Sequence, residues 1–126
     1  MSHNIIFLLA AIPVPLTMMI VGAVLWKNPP EMGKNGYKSK YSFSSTEAWY
    51  FAQVTWGKLS VIHNILSLIG TIAAETVGII MKLDETTGLI LYVAVTTAQC
   101  AVIFADIFIT ERKLRKCFNP SGTEKN

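Results

Sequence analysis

The sequence predicts an all-α membrane protein with three transmembrane helices, the second extended at its start by an interfacial amphipathic segment. Of the 126 residues, 52% are hydrophobic and only 15% are charged, whereas soluble domains usually carry about 25% charged residues. Three long apolar runs alternate with polar segments. The net charge is +3, and the basic residues lie beside these apolar runs rather than on a polar helix face with interleaved aromatics. The expected partner is therefore the lipid bilayer and not nucleic acid.

The first apolar run, Ile5 to Trp26, carries no charged residue and predicts a helix over about residues 5–26. At about 1.5 Å per residue, a run of this length crosses a hydrocarbon core of about 30 Å. Pro13 and Pro15 interrupt the run and remove backbone donors, so we expect neighbouring helices or side chains such as Thr17 to satisfy the freed carbonyls. Two interpretations stay open, a kink that serves packing or a bend that opens a cavity.

The segment 27–58 is predicted to be an ordered loop at the membrane surface that leads into the next helix. Pro29 and Pro30 end the first helix, because proline lacks a backbone donor and biases the preceding residue towards extended geometry. Glycines such as Gly36 then tolerate the positive φ of a sharp turn. The segment holds seven aromatic residues, which is too many for a disordered linker.

The second helix is predicted over about residues 45–81. Ser44 and Glu47 have the spacing of a capping box, in which the hydroxyl and the carboxylate satisfy amides of the first helical turn. Trp49 and Trp56 fall on one side of the helix and suit the headgroup level of a bilayer. We therefore interpret them as interfacial anchors.

Polar residues continue along the apolar part of this helix at steps of four: His63, Ser67, Thr71 and Glu75. Such a stripe should face other helices, because an ionisable group in hydrocarbon costs at least about 2.5 kcal/mol. We expect Glu75 to face the protein interior. Its candidate partners are the carbonyls freed around the prolines, a cation of a bound ligand, or hydroxyl groups, namely those of Thr71, Thr96 and Thr97.

The third helix is predicted over about residues 88–110, after a short polar turn at residues 82–87. The short turn makes the second and third helices antiparallel neighbours. Counted from the same membrane face, His63 and Asp106 then lie at about the same depth, roughly four residues inside. These two side chains are therefore placed at a depth where they can pair.

Residues 1–118 form a single transmembrane domain in this interpretation, and the tail 119–126, which contains proline, serine and glycine, is expected to be flexible. Cys100 and Cys117 would lie at different depths, so no disulfide is expected between them. Cys117, beside the membrane and among cations, can instead be read as an acylation site.

The distribution of basic residues predicts the orientation. The first loop carries five lysines and the tail five basic residues, whereas the second loop has one lysine against two acids. By the positive-inside rule, the first loop and the carboxyl terminus face the cytoplasm and the amino terminus lies outside.

Several short pieces of the chain stand in a recognisable order: Asn28-Pro29-Pro30, Gly36-Tyr37-Lys38-Ser39, and a helix start with Trp49, Ala52, Gly57 and Lys58. They resemble the signature of the SdpI family of bacterial membrane immunity proteins, which has a proline-containing lead-in, a G-Y-R-S/T turn and a W-x-x-A-x-x-x-x-G-K helix start. Together with the end of the last apolar segment, the resemblance spans roughly residues 20–118. The family's arginine is Lys38 here, which keeps the charge but lacks the planar fork that binds a carboxylate or phosphate bidentately.

The resemblance implies a protein of the bacterial inner membrane that gives immunity to a secreted antibacterial peptide or protein, by binding the toxin or shielding its target. The residues expected to bind are those of the family-like pieces and the intramembrane ionisable groups, namely Gly36, Tyr37, Lys38, Ser39, Trp49, Ala52, Gly57, Lys58, His63, Glu75 and Asp106. We expect no enzyme activity, cofactor or metal, since the sequence shows no zinc-ligand spacing, phosphate-binding glycine loop or nucleophilic triad.

Two other functions stay open. One is a small signalling or accessory membrane protein that docks a cytoplasmic regulatory protein on its basic, aromatic loop. The other is a small transporter or membrane enzyme built on the stripe from His63 to Glu75, which would require a homo-oligomer because three helices enclose little volume.

Overall fold

The computed structural model describes residues 2–125. Its helices are α1 (His3–Ala11), α2 (Pro13–Lys27), α3 (Thr46–Ile80) and α4 (Glu85–Cys117), with a single 3-10 turn at Ser42–Ser44 before α3. Three helical spans are long and apolar enough to cross a membrane, α1 and α2 together forming the first. The described chain contains no β-strand, only an isolated bridge between Phe118 and Glu124. The predicted all-helical class with three such spans is confirmed.

The boundaries differ most at the end of α4, which runs to Cys117 rather than to the predicted residue 110. The prediction equated the end of the apolar run with the end of the helix. No proline or glycine occurs between Thr110 and Cys117, and lysine and arginine are good helix formers that suit the negative end of the helix dipole. The helix therefore continues past its apolar part.

The capping box predicted from Ser44 and Glu47 is wrong by one residue. The N-cap of α3 is Ser45, whose hydroxyl accepts a hydrogen bond from the backbone N–H of Ala48 at 3.0 Å. The Ser44 hydroxyl instead donates to the carbonyl of Tyr41 at 2.6 Å within the 3-10 turn. That turn holds Ser44 in local hydrogen bonding and leaves the cap to the next residue.

The proline-containing first span breaks at Ile12, between α1 and α2. Pro15 has no N–H to give to the carbonyl of Ala11, four residues earlier. Gln99 of α4 satisfies this carbonyl, because its side-chain amide donates to Ala11 at 2.8 Å and also to the hydroxyl of Thr71 at 2.9 Å. This confirms the expectation that a neighbouring helix satisfies a freed carbonyl, whereas Thr17, the side chain also named, is exposed.

Helices α2 and α3 approach each other closely at two glycines, Gly22 and Gly57. A Cβ atom added at Gly57 would lie 2.6 Å from the carbonyl oxygen of Gly22 and 2.8 Å from the backbone nitrogen of Trp26. Both neighbours are backbone atoms, which cannot move aside without shifting a helix. Glycine at these positions therefore lets the two backbones pack directly against each other.

We call the end of the bundle that carries residues 28–45 and the tail the loop end. Here the loop folds back over the start of α3, and the apolar core contains residues from α2, α3, the loop and α4: Leu25, Tyr37, Ala48, Ala52, Trp56, Leu114 and Phe118. The tail was expected to be flexible, yet it forms a hydrogen-bonded turn. Its Gly122 is buried with φ +87°, where a Cβ atom would lie 2.6 Å from the side chain of Ser45.

The opposite end, which we call the turn end, joins the amino terminus to the α3–α4 connection. Asn4 is buried, and its side-chain amide donates to the carbonyl of Leu83 at 2.9 Å, while Nε2 of His3 donates to the same carbonyl at 2.8 Å. These bonds fasten α1 over the connection. Both cysteines are free, in agreement with the prediction.

The α2–α3 contact predicts opposite effects for two alanine substitutions in the same helix. Gly57→Ala should lower the free energy of unfolding by about 1–3 kcal/mol, because the added methyl group meets backbone on both sides. Gly70→Ala, where a Cβ atom meets nothing within 4 Å, should leave it unchanged or raise it by about 0.5–1 kcal/mol through helix propensity. Denaturation of the purified protein in detergent measures both, and equal stability of the two variants would show that the helices do not touch at Gly57.

Candidate functional site

Tyr37 is held in place by the side chain of Gln53. The backbone N–H of Tyr37 donates to Oε1 of Gln53, and Nε2 of Gln53 donates back to the carbonyl of Tyr37, both at 2.7 Å. Gln53 is fully buried. Its side-chain amide donates to and accepts from the backbone of one loop residue, as the backbone of a paired β-strand does. The preceding residue, Gly36, has φ +141°, and a Cβ atom there would collide with Gln53. The glycine–tyrosine turn is therefore set by this amide.

The side chain of Tyr37 ties the loop to α4. Its hydroxyl donates to Oε1 of Glu111 at 2.5 Å, and its ring lies 6.1 Å from the ring of Trp56. Burial, together with the neighbouring Glu111 carboxylate, raises the pKa of the Tyr37 phenol above its usual range. The phenol therefore stays protonated and acts as a donor at physiological pH.

The tryptophans of α3 are not interfacial anchors, which corrects the sequence interpretation. Trp49 is 0% exposed and Trp56 is 8% exposed. The indole N–H of Trp49 donates to the carbonyl of Pro30 at 2.8 Å, so the proline pair of the loop covers this face of α3. Ala52, also 0% exposed, packs in the same core. The aromatic side chains bind the protein's own loop instead of lipid headgroups.

The remaining family-like residues divide into a structural serine and two exposed lysines. The backbone N–H of Ser39 donates to the hydroxyl of Ser42 at 2.8 Å, and the backbone N–H of Ser42 donates to the hydroxyl of Ser39 at 3.2 Å. Lys38 is exposed, as is Lys58, whose ammonium lies 5.7 Å from the ring centre of Trp26. Among the family-like residues of the loop and the start of α3, Lys38 and Lys58 are the ones that expose a charged group at the protein surface.

His63 and Asp106 form the pair that their predicted depth allows. Nδ1 of His63 contacts Oδ1 of Asp106. Asp106 is 1% exposed, and its second carboxylate oxygen is buried with no hydrogen-bond partner in residues 2–125. The buried oxygens of Ser60 and Asn64, on the same helix as His63, also lack partners in the described chain. Buried polar atoms usually have partners, so these three oxygens are candidate acceptors for a water molecule or a ligand group.

Glu75 is buried, as predicted, but none of its expected partners is bonded to it. The carboxyl group is 1% exposed, and its Oε1 has no partner among the described residues. The hydroxyl of Thr71 accepts from Gln99, and that of Thr97 donates to Val93 of its own helix on an exposed face. The Thr96 hydroxyl is itself without a partner in the described part of the chain.

The structure does not gather the expected binding residues into one site. Glu75 lies 12 residues beyond His63 on α3, which corresponds to about 18 Å of helix rise. The loop residues lie still further towards the loop end. Burial also varies along the polar stripe of α3: Thr71 and Glu75 are buried, whereas His63 and Ser67 are partly exposed.

A groove of about 380 Å³ lies between α3 and α4. Small side chains leave it open: Gly70, Ala74, Ala94 and Ala98, with Ser67, Thr71 and Gln99 as polar members and Val95 and Val102 completing the lining. Several of the small residues are exposed. The groove is therefore accessible from the surface that three membrane-crossing spans would present to lipid.

Sequence reasoning assigned no role to Gln53 and Gln99. A signal was present for each. Gln53 shares a helical face with Trp49 and Trp56 at steps of four and three, and an amide on an aromatic face suggests a buried partner. Gln99 is an amide within an apolar run of a chain whose prolines free backbone carbonyls.

No family model, curated protein or solved structure matches this chain. The resemblance to the SdpI family thus stays a prediction. Within residues 2–125, no group of three or more histidine, cysteine, aspartate or glutamate side chains is arranged to hold a metal ion.

The bond between Tyr37 and Glu111 predicts a measurable coupling. Tyr37→Phe and Glu111→Gln should each lower the free energy of unfolding, and the double variant should lose less than the sum, with a coupling of about 1–2 kcal/mol. Tyr50→Phe, at an exposed ring of the same region, serves as the control and should have no effect. Denaturation of all four proteins in detergent gives the cycle, and strict additivity would mean that the loop is not bonded to α4.

Two buried polar residues of the bundle should respond oppositely to leucine. Gln99→Leu should lower the free energy of unfolding by about 1–3 kcal/mol, because the carbonyl of Ala11 loses its donor. Glu75→Leu should leave it unchanged or higher, because it removes a buried oxygen that has no partner. Both side chains are buried, and both variants introduce leucine. A loss for Glu75→Leu as large as that for Gln99→Leu would reveal a partner within the chain.

Proposed function

We propose that this chain is an integral membrane immunity protein that protects the producing bacterium against a secreted antibacterial peptide or protein. It does so by binding the toxin, or the toxin's membrane target, within the bilayer. The observation that carries the proposal is the groove between α3 and α4, about 380 Å³ in volume and lined largely by small side chains. Its place in a bundle of three spans that are apolar enough to cross a membrane supports an occupant that is itself in the membrane.

The groove suits a helical peptide. Gly70 and Ala74 stand four residues apart on α3, and Ala94 and Ala98 do so on α4. Small residues at this spacing let the backbone of a second helix approach closely. Close packing of this kind drives helix association in lipid, because lipid tails are as apolar as the side chains and no hydrophobic force brings the helices together. Gln99 also lies in the lining, and the two hydrogens of its side-chain NH2 group are already donated to Ala11 and Thr71.

The unpartnered carboxylate of Glu75 supports a binding role beside the groove. Glu75 directly follows the groove residue Ala74 in α3 and lies nearer the turn end. A buried acid with a free oxygen weakens the fold, and such local inconsistencies concentrate at functional sites. We propose that Glu75 receives a hydrogen-bond donor or a cation from the bound toxin.

The protein lies in the inner membrane in this proposal, with the loop end in the cytoplasm and the amino terminus outside. The asymmetry of basic residues supports this orientation, since the first loop and the tail hold ten of the eleven lysines and arginines. The turn end, with Glu75, then faces the side from which a secreted toxin arrives.

A binding role is better supported than docking of a cytoplasmic partner. Tyr37, Trp49 and Trp56, which made the loop look like a docking surface in the sequence, are buried against the protein itself. We propose no catalytic reaction, and a groove that opens on the surface of one three-helix chain favours binding over transport.

The orientation is tested by labelling single cysteines in intact cells. In a background with Cys100→Ala and Cys117→Ser, an impermeant thiol reagent should label Thr86→Cys from outside and should reach Lys38→Cys only after the cells are opened. Both positions are exposed, so access through the membrane is the only difference between them. Labelling of Lys38→Cys in intact cells would reverse the orientation.

Protection is tested with strains that carry the gene, lack it, or carry a groove variant. The deletion strain should be killed by the culture supernatant of the producing strain, and the wild-type gene should restore growth. Ala98→Leu should fail to protect because the larger side chain fills the groove. Ala105→Leu, at an exposed alanine about two turns further along α4 and outside the groove, should protect fully. Full protection by Ala98→Leu at wild-type membrane abundance would refute binding in the groove, and survival of the deletion strain would refute immunity.

A further inference from the structure

One face of α4 forms a second groove at the loop end, with a volume of about 530 Å³. Its lining follows helical spacing along a single stripe: Phe104, Ile107, Phe108, Glu111, Arg112 and Arg115. The part nearer the middle of the helix is apolar, and Phe104 and Phe108 are 70% and 68% exposed. The part nearer the end carries two guanidinium groups. Apolar and cationic surfaces thus meet within one groove.

The charges of the groove favour an anion. Arg112 and Arg115 lie one turn apart on the same face, and the single acid, Glu111, has one carboxylate oxygen engaged by the hydroxyl of Tyr37. The guanidinium of Arg115 lies 5.5 Å from the ring centre of Tyr41, a cation–π contact that holds it beside the groove. Arginine forks bind phosphate oxygens bidentately.

We propose that this groove binds one anionic phospholipid, with the headgroup phosphate on Arg112 and Arg115 and an acyl chain along Phe104 and Phe108. The lining extends over 12 residues from Phe104 to Arg115, about 16 Å of helix rise. That length reaches from the headgroup level into the upper acyl region. Basic pockets of this kind at the cytoplasmic side of membrane helices recognise acidic headgroups. The inference rests on the proposed membrane placement and orientation, but not on immunity.

Native mass spectrometry of the full chain in a neutral detergent tests the site. Phosphatidylglycerol, phosphatidylcholine and inorganic phosphate are the probes. The wild-type protein should retain one phosphatidylglycerol with an affinity at least about tenfold higher than for phosphatidylcholine, because only the former carries net charge for the arginine pair. Inorganic phosphate at equal concentration should not displace it, because the acyl chain contributes to binding.

Substitutions that remove equal charge from different faces give the control. The double variant Arg112→Ala/Arg115→Ala should reduce the affinity for phosphatidylglycerol at least about tenfold. The single variant Arg112→Ala, which keeps the contact between Arg115 and Tyr41, should show part of this loss. Lys113→Ala with Lys116→Ala, in the same two turns but outside the groove, should bind as the wild type does. Phe108→Ser should weaken phosphatidylglycerol binding while the arginines remain.

An equal loss of phosphatidylglycerol affinity in the arginine and lysine double variants would overturn the proposal, because it would show diffuse attraction of the lipid to a basic helix end. Equal affinity for phosphatidylcholine, or displacement by inorganic phosphate alone, would also overturn it. These measurements use purified protein without toxin, so the two proposals are tested separately. The lipid site can be refuted while the growth assay still supports immunity, and immunity can be refuted while the purified protein still binds the lipid.

Discussion

The architecture of the loop end depends on the direct backbone contact between α2 and α3 at Gly22 and Gly57. Because these helices touch, the loop that joins them must fold back over the start of α3. That return places the backbone of Tyr37 on the amide of Gln53. The hydroxyl of Tyr37 then reaches Glu111 and brings α4 into the same unit.

The sequence predicted the features that follow from chain order and depth. The three spans followed from apolar length, and the shared depth that lets His63 pair with Asp106 followed from counting residues inward from one membrane face. The same reasoning failed at the end of α4, because leaving an apolar environment does not end a helix unless a breaking residue is present. Cys117, rather than Thr110, is its last residue.

The features that depend on contacts between helices could not be predicted. Aromatics near a membrane surface suit both lipid headgroups and a protein core, and only the returning loop decides that Trp49 is buried. Likewise, an amide in an apolar run has many potential acceptors, so the choice of Ala11 by Gln99 follows from tertiary packing. The converse case is Glu75, whose burial was predicted but whose free oxygen was not. This oxygen has no partner within the described chain, and Glu75 directly follows the groove residue Ala74, which adds support to a binding role for the groove.

The most direct test of toxin binding is site-specific photocrosslinking in intact cells. A diazirine-bearing residue at Ala98, in the α3–α4 groove, is compared with one at Ala105, which is exposed on the same helix but lies outside it. On exposure to the supernatant that kills the deletion strain, illumination should give a new adduct from Ala98 and none from Ala105, and heat-inactivated or protease-treated supernatant should give no adduct. Equal adducts at both positions, or none at Ala98 in cells that survive the toxin, would contradict binding in the groove.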